Sequence, residues 1–161
     1  MALDPAEIKR VLKATSLILV YSSFLTPWLT QTLLPAVDIR FRFVFADVVV
    51  WLVDLPTDVP RIQIDSSLNH ILVMLPLVLE MLFTWFSMSR FKEKSRILEV
   101  TGAILGLVPV ALALLNFLRI GFSSPQDFQM TLMPGFFFGL CAPLLILTSF
   151  VMKKDRKSKP T

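Results

Sequence analysis

Cysteine and histidine are almost absent from this chain, which has one of each, Cys141 and His70, in 161 residues. A single cysteine cannot form a disulfide within the chain, and one cysteine with one histidine cannot supply the ligands of a protein-only zinc site. Common catalytic motifs are also missing: there is no Cys-x-x-Cys, no Gly-x-Ser-x-Gly and no Gly-x-x-x-x-Gly-Lys. We therefore expect a protein that is not an enzyme and that binds no metal ion or cofactor.

Charged residues are scarce as well, at 17% of the chain, whereas 55% is hydrophobic and the mean hydropathy is +0.70. A soluble domain is about a quarter charged, so the apolar excess indicates a chain that contacts lipid. A helix needs about 20 predominantly apolar residues to cross a bilayer. Four windows qualify: residues 14–33, 69–89, 98–119 and 131–152. They predict an all-α transmembrane four-helix bundle that forms one integral membrane domain.

Two local patterns support this division of the chain. Asp4, Pro5 and Glu7 have the order of an N-cap, a first-turn proline and a capping acid, so the first helix is predicted to begin before its apolar part. Trp28 and Trp85 are predicted at opposite membrane interfaces, where tryptophan is enriched.

Basic residues are distributed unevenly between the two sides that four spans create. Twelve lie before the first span, between the second and third, or after the fourth, and only four lie in or next to the other two connections. Because short cytoplasmic segments are enriched in Lys and Arg, both termini and residues 90–97 are predicted to be cytoplasmic. The expected location is the cell membrane, or an early secretory membrane in a eukaryote.

The tail at residues 153–161 is predicted to contact anionic lipids at the cytoplasmic face, where each basic residue contributes about 1 kcal/mol. Its basic residues are Lys153, Lys154, Arg156, Lys157 and Lys159. Because the positive charge collects at helix ends rather than over a folded surface, nucleic acid is not an expected partner.

Residues 34–68 are predicted to be a small extracytoplasmic β-rich segment between helices 1 and 2. Apolar residues alternate with others over residues 39–45 and again over 61–65, as in strands with one apolar face. Residues 46–55 fit either a third strand or a short helix in the interface. A small antiparallel sheet on the outer ends of the bundle is favoured, because a two-stranded hairpin alone would be marginal.

Four of the five glycines form two small-xxx-small motifs: Gly102 with Gly106, and Gly135 with Gly139. Glycine lowers helix stability, and close approach of another helix is its usual purpose in a membrane. In an antiparallel pair of helices the first motif is expected to pack against residues 146–150, and the second against Ala113 and Asn116. A contact with another subunit is the alternative.

Glu80 is the one ionisable residue deep in a predicted span, the twelfth of about 21 positions in the second. A charge at mid-bilayer costs a few kcal/mol, so the side chain is expected to face the bundle as a neutral acid that donates to Tyr21 or Ser23, at the same depth. Two roles are open: carrying a proton or a cationic ligand, and fixing helix packing. His70, about 15 Å away along the helix, is too far to form a dyad with it.

Four spans, cytoplasmic termini, a longer first outer segment with strand character and a short second one resemble the claudin-like tetraspan proteins. Claudins carry a tryptophan and a cysteine pair in the first outer segment. Trp51 stands in that segment here, but the cysteines are absent, so the resemblance does not imply barrier formation.

Two functions from different classes remain open. The first is a non-catalytic accessory or structural subunit, or a scaffold, of a membrane complex, with other membrane subunits or further copies of the chain as partners. The second is a small oligomeric transporter or ion-coupled protein that uses Glu80.

Overall fold

The computed structural model describes residues 4–33, 38–51, 61–89, 95–123 and 128–151. These residues form four helices and five strands. The helices are α1 (Pro5–Leu25), α2 (Leu68–Ser89), α3 (Ser95–Ser123) and α4 (Pro134–Val151). The strands are β1 (Leu29–Leu33), β2 (Asp38–Arg42), β3 (Asp47–Trp51), β4 (Arg61–Asp65) and β5 (Phe128–Leu132).

Helix α1 begins where the sequence predicts but ends earlier. Asp4 is its N-cap, and the carboxylate of this residue accepts a hydrogen bond from a first-turn backbone N–H. The predicted span covers residues 14–33, whereas the helix ends at Leu25. Thr26 is extended, because a residue before proline disfavours the helical conformation and Pro27 follows. The last five residues of the predicted span form β1 instead.

Three helices in the described ranges are long and apolar enough to cross a membrane, which fits a membrane protein. The segments are Leu68–Met88 of α2, Arg96–Arg119 of α3 and Pro134–Val151 of α4. Helix α1 is not among them, because four charged residues lie within its first nine positions. The prediction of four spanning helices is therefore supported for three.

The described strands form one antiparallel sheet in the order β4-β3-β2-β1-β5. The predicted sheet between the first two helices is confirmed, and residues 47–51 of the ambiguous segment are a strand; residues 52–55 lie outside the described residues. The strand predicted over 39–45 ends at residue 42, since the Phe43 N–H donates to the Ala46 carbonyl at 2.9 Å and closes the turn to β3.

Strand β5 was not predicted. It comes from the connection between α3 and α4, and it includes residues 131 and 132, which the sequence assigned to the fourth span. It pairs with β1 along its whole length. Both connections at this end of the bundle therefore contribute to the same sheet.

The helices pack around a common core, with α1 against α4, α4 against α3, and α3 against α2. The centre holds fully buried apolar side chains such as Val20, Leu77 and Ile146. The outer surfaces of α2 and α3 carry exposed apolar side chains such as Leu72 and Leu115. A surface of this kind suits contact with lipid, since large exposed apolar patches are rare on soluble monomers.

Trp28 connects α1 with the sheet and is buried rather than interfacial. Only 4% of this residue is exposed, its indole N–H donates to the Ser23 carbonyl at 2.9 Å, and its ring meets Phe136 edge-on at 6.1 Å. The predicted contact of Trp28 with the membrane interface is therefore wrong, because its side chain packs inside the protein; its depth in the bilayer stays a prediction. Trp85, by contrast, is 64% exposed on α2.

Candidate functional site

Glu80 lies in the middle of α2 and is completely buried. Its carboxyl group fills the space that Gly106 of α3 leaves open, because a Cβ atom at Gly106 would overlap both carboxyl oxygens and their carbon. Neither carboxyl oxygen has a hydrogen-bond partner among the residues that the structure describes. A buried polar group without a partner costs free energy, so this side chain is a candidate functional residue.

The two partners expected for Glu80 lie elsewhere. Tyr21 is 61% exposed on α1, and the Ser23 hydroxyl donates to the Val20 carbonyl at 2.6 Å. Neither forms the expected hydrogen bond with Glu80, since no described residue partners its carboxyl group. The sequence placed these residues at the same depth in the bundle, but it did not show toward which neighbour each helix face points. In the structure α1 has little contact with α2.

Further buried polar groups lie toward the N-terminal end of α1. The hydroxyls of Ser16 on α1 and Thr84 on α2 are buried and have no hydrogen-bond partner among the described residues. Lys13 of α1 then forms an ion pair with Glu99 of α3 at 2.5 Å, and their side chains are 14% and 7% exposed. The pair joins residues 86 positions apart in the chain.

Gly102 and Gly106 have their nearest neighbours on α2, not on residues 146–150 of α4 as expected. A Cβ at Gly102 would lie 3.1 Å from the Phe83 Cβ and 3.6 Å from the backbone of Glu80. The first glycine pair therefore lets α2 approach α3 closely around the buried carboxyl group.

Gly135 and Gly139 also differ from expectation, because their nearest neighbours belong to the end of α1 and to Trp28. A Cβ at Gly135 would lie 2.5 Å from the Thr26 carbonyl oxygen, and one at Gly139 would lie 2.6 Å from the Trp28 ring. Asn116, the partner expected for this pair, is exposed and lines a separate cavity. The second glycine pair thus allows the segment between α1 and β1 to pack closely against α4.

That cavity, of about 330 Å³, lies where the sheet meets the N-terminal end of α2 and the C-terminal half of α3. At its polar end are three charged or titratable side chains, Arg42, Asp47 and His70. The remaining wall is mostly apolar and includes Val73 and Leu112. Concave, largely apolar sites of about 300–1,000 Å³ with a few polar groups are typical of small-molecule binding.

The hydrogen bonds of His70 fix its tautomer. The Ser67 backbone N–H donates to Nδ1 at 3.0 Å, so Nδ1 carries no proton and Nε2 donates to the Asp47 carboxylate at 3.3 Å. The Ser67 hydroxyl also lies 3.0 Å from Nδ1. Serine, histidine and aspartate are thus in contact, but the arrangement is that of a helix cap, because Ser67 precedes α2 and the side chain three residues on bonds its backbone N–H.

Arg42 makes one hydrogen bond and one longer ionic contact, and it has a buried donor without an acceptor. A terminal N–H group donates to Gln31 Oε1 at 3.0 Å, and Nε lies 3.8 Å from Asp47 Oδ2, too far for a hydrogen bond. The Nε–H group is buried and has no acceptor in the described part of the chain. Burial lowers the pKa of the Arg42 guanidinium, and the nearby Asp47 carboxylate opposes this effect; an arginine nevertheless stays charged.

The sequence did not reveal this cavity as a site. Arg42, Asp47 and His70 come from β2, β3 and α2, and only the pairing of Arg42 with Asp47 across a four-residue turn brings the first two together. The available signal was the spacing of Ser67 and His70, which fits a residue before a helix and the third residue within it.

Two further predictions concern the basic tail and metal binding. The five basic residues of the tail lie outside the described residues, so their contact with anionic lipid stays a prediction. Among the described side chains, no group of three or more His, Cys, Asp or Glu is arranged to hold a metal ion.

No protein-family model matches the chain, and no curated protein matches it either. Its function is therefore inferred from the geometry of the sheet, the cavity and the buried carboxyl group.

Proposed function

We propose that this protein is a non-catalytic subunit or scaffold of a membrane complex, anchored by its helices and bound to a partner chain through its sheet. The observation that carries the proposal is an apolar face on β2, β3 and β4. Two cross-strand rows form it: Phe41, Val48 and Ile64 in one, and Ile39, Val50 and Ile62 in the other.

The apolar face points away from the helices. Successive residues of a strand point to opposite faces, and the residues on the other face include Leu29 and Val49, which are buried, and Arg42 and Asp47, which line the cavity against α2. On the outer face Ile62 is 66% exposed and Ile64 is 70% exposed. Two adjacent, highly exposed isoleucines on a sheet are unfavourable in water and suit a contact with another chain.

Strand β4 also offers backbone groups to a partner. It pairs with β3 on one side and is the edge strand of the sheet among the described residues. An exposed edge with an apolar face allows an extended segment of a second protein to add a strand, with backbone hydrogen bonds giving affinity and alternate side chains giving specificity. We infer that the occupant is an extended extramembrane segment of a partner membrane protein.

An Ile64→Lys variant is expected to lose the complex, because a lysine on the apolar face would be buried without a partner charge. The fraction of chain that co-purifies in a complex in mild detergent, measured by native mass spectrometry, should fall at least about tenfold. Gln63→Lys is the matched control, since residue 63 is exposed on the same strand but points to the other face. Retention of the complex by Ile64→Lys, or a lone chain in every preparation, contradicts the proposal.

We further infer that α1 is a fourth membrane crossing and that both termini are cytoplasmic. Helix α1 packs along α4, which is itself long and apolar enough to span. The basic residues of α1 lie near its start, where Lys13 meets Glu99. Positive charge at that end favours the cytoplasmic side, which leaves the sheet outside.

A single cysteine on the sheet tests this orientation. Gln63→Cys, made in a Cys141→Ala background, is expected to react with a membrane-impermeant maleimide on intact cells, because residue 63 is exposed on β4. The Cys141→Ala parent serves as the unlabelled control. Labelling that requires permeabilised cells would invert the proposed orientation.

A second candidate function rests on Glu80. A buried carboxyl group without a hydrogen-bond partner in the described structure is the kind of intramembrane group that carries protons or binds cations in transporters. Proton or cation flux into proteoliposomes tests this candidate directly. Glu80→Gln, which keeps the shape and removes the ionisable group, should abolish any such flux, and equal flux in the variant excludes it.

The claudin-like arrangement also remains our proposal for the overall layout. Its support is the element order, in which a long first connection supplies three further strands after β1 and a short second connection supplies β5. Barrier formation is not part of the proposal, because the outer connections contain no cysteine.

A further inference from the structure

The cavity between the sheet and the bundle continues along the interface of α2 and α3. Near the sheet its lining includes Asn69 of α2 and Asn116 of α3, which are both exposed. One to two helical turns further from the sheet the lining includes Val73 of α2 and Pro109 of α3. Because exposed amide groups favour contact with water, the end of the cavity near the sheet is accessible to water.

Glu80 lies on the same face of α2 as the cavity-lining Val73. Val73, Leu77 and Glu80 are spaced by four and three residues, which places them along one side of the helix. Val73 lines the cavity, whereas Leu77 and Glu80 are completely buried. Leu77 is therefore the one residue of this face between the cavity and the carboxyl group.

The facing side of α3 leads to the same carboxyl group. Ala113 and Pro109 line the cavity. Gly106 follows Pro109 on this side, three residues further from the sheet, which is about 4.5 Å along the helix axis. Gly106 contributes no side chain, and the carboxyl group of Glu80 fills the space beside it. On α3 the cavity and the carboxyl group are thus about one helical turn apart.

A proline lies at this level in both helices. Pro76 directly precedes Leu77 in α2, and Pro109 lies in α3 beside the cavity. A proline inside a helix removes a backbone hydrogen bond, and helices bend at such positions. A bend of α2 at Pro76 moves the Leu77 side chain relative to α3, at the point where this side chain separates the cavity from Glu80.

A proton is the ligand that this arrangement suits. A metal ion such as Ca²⁺ takes about six to eight oxygen ligands, whereas Glu80 belongs to no group of three or more His, Cys, Asp or Glu in the described part of the chain. A proton needs only one basic oxygen. In the exchange the O–H bond of the Glu80 carboxyl group breaks, water accepts the proton and the carboxylate remains; the reverse step restores the acid.

We propose that Glu80 exchanges a proton with the sheet side of the protein through this cavity, and that the Leu77 side chain closes the route. This route rests on the second candidate function and deepens it, since it names the ion and the side of access. Access is measurable without transport, so the two fail separately. Equal flux in Glu80→Gln removes the transport function, whereas labelling of position 80 decides the route.

A cysteine at position 80 measures this access. Glu80→Cys is made in the Cys141→Ala background and treated with a membrane-impermeant methanethiosulfonate in intact cells and in inside-out vesicles, which expose opposite sides. The sheet side is the one from which Gln63→Cys reacts. We expect Glu80→Cys to react slowly, because its open state is a minor one, but at least about tenfold faster from the sheet side than from the other.

Leu77→Ala tests the side chain that closes the route. Without it the cavity is continuous with position 80, so the reaction of Glu80→Cys from the sheet side should become at least about tenfold faster, as a minor open state becomes the main one. Ile146→Ala is the matched control. Ile146 is also completely buried but lies on α4, so the rate should stay within about twofold of that with both residues intact.

Infrared spectroscopy follows the proton itself in the chain that keeps Glu80. The C=O band of a protonated carboxyl group shifts when deuterium replaces its proton, and Glu80→Gln identifies the Glu80 band by removing it. After transfer to D₂O this band should shift at least about tenfold faster in Leu77→Ala than in the parent chain.

The proposal is overturned if position 80 reacts equally from both sides or from neither, if it reacts faster from the side opposite the sheet, or if Leu77→Ala and Ile146→Ala give the same rate. It is also overturned if the Glu80 band is absent or shifts equally fast in the parent chain and in Leu77→Ala. The comparison of the two sides uses the chain with Leu77 intact. It therefore decides the route even if the alanine variant does not fold.

Discussion

Replacing Lys13 with Met is expected to lower the free energy of unfolding by about 3–5 kcal/mol. The Lys13 side chain lies 2.5 Å from Glu99 and both are largely buried, at 14% and 7% exposure. Removing one member of a buried ion pair leaves the other as an uncompensated charge, and measured costs are of this size. Unfolding by SDS titration in mixed micelles measures the change.

Two controls separate the ion pair from a general loss of charge. Arg10→Met, one turn before Lys13 and exposed, should change the free energy of unfolding by less than about 0.5 kcal/mol. The double variant Lys13→Met, Glu99→Met should recover most of the lost stability, because apolar side chains of similar size can replace a buried pair at little cost. A single variant as stable as the parent chain would show that the pair does not hold α1 to α3.

Replacing Glu80 with Met is expected to have the opposite effect and raise the free energy of unfolding by about 2 kcal/mol. The carboxyl group is fully buried and neither oxygen has a partner among the described residues, so an apolar side chain of similar length removes an unsatisfied group that costs about 1–3 kcal/mol. The methionine side chain can occupy the space beside Gly106 that the carboxyl group fills now.

The comparison with Glu80→Gln identifies the cause. Glutamine keeps two buried polar atoms, so its stability should stay within about 1 kcal/mol of the parent chain and below that of Glu80→Met. If Glu80→Met is less stable than Glu80→Gln, the carboxyl group has a stabilising partner and its role is structural. If Glu80→Met is more stable and flux is lost, the residue serves function at the expense of stability.

Much of the helical architecture follows from local sequence. Apolar segments of about 20 residues give α2, α3 and most of α4, and the Asp4-Pro5 pair gives the start of α1. The strands at 38–42 and 61–65 follow from the alternation of apolar residues, which has a period of two in a strand. These features depend on neighbouring residues, so a pattern within one segment is sufficient to predict them.

The prediction of the first span was wrong at its end, where the local sequence fits either a helix or a strand. The segment from Leu29 to Leu33 was included in the first predicted span, although three of its five residues are Thr or Gln. In the structure this segment is strand β1, which lies between β2 and β5 and pairs with both. The neighbouring Trp28 side chain lies between the end of α1 and Gly139. Hydrogen bonds to distant strands override the local preference, because a strand is stable only with its neighbours.

The sequence by itself determined that this is an apolar chain with helices of membrane-spanning length, a glutamate in the middle of one of them and a strand-forming connection. The tertiary structure decided which groups meet: Glu80 with Gly106, Lys13 with Glu99, and Arg42 with Asp47 near His70. The physical reason is that periodicity fixes the spacing of residues along an element, whereas the rotation of one element against another depends on side-chain packing over the whole bundle.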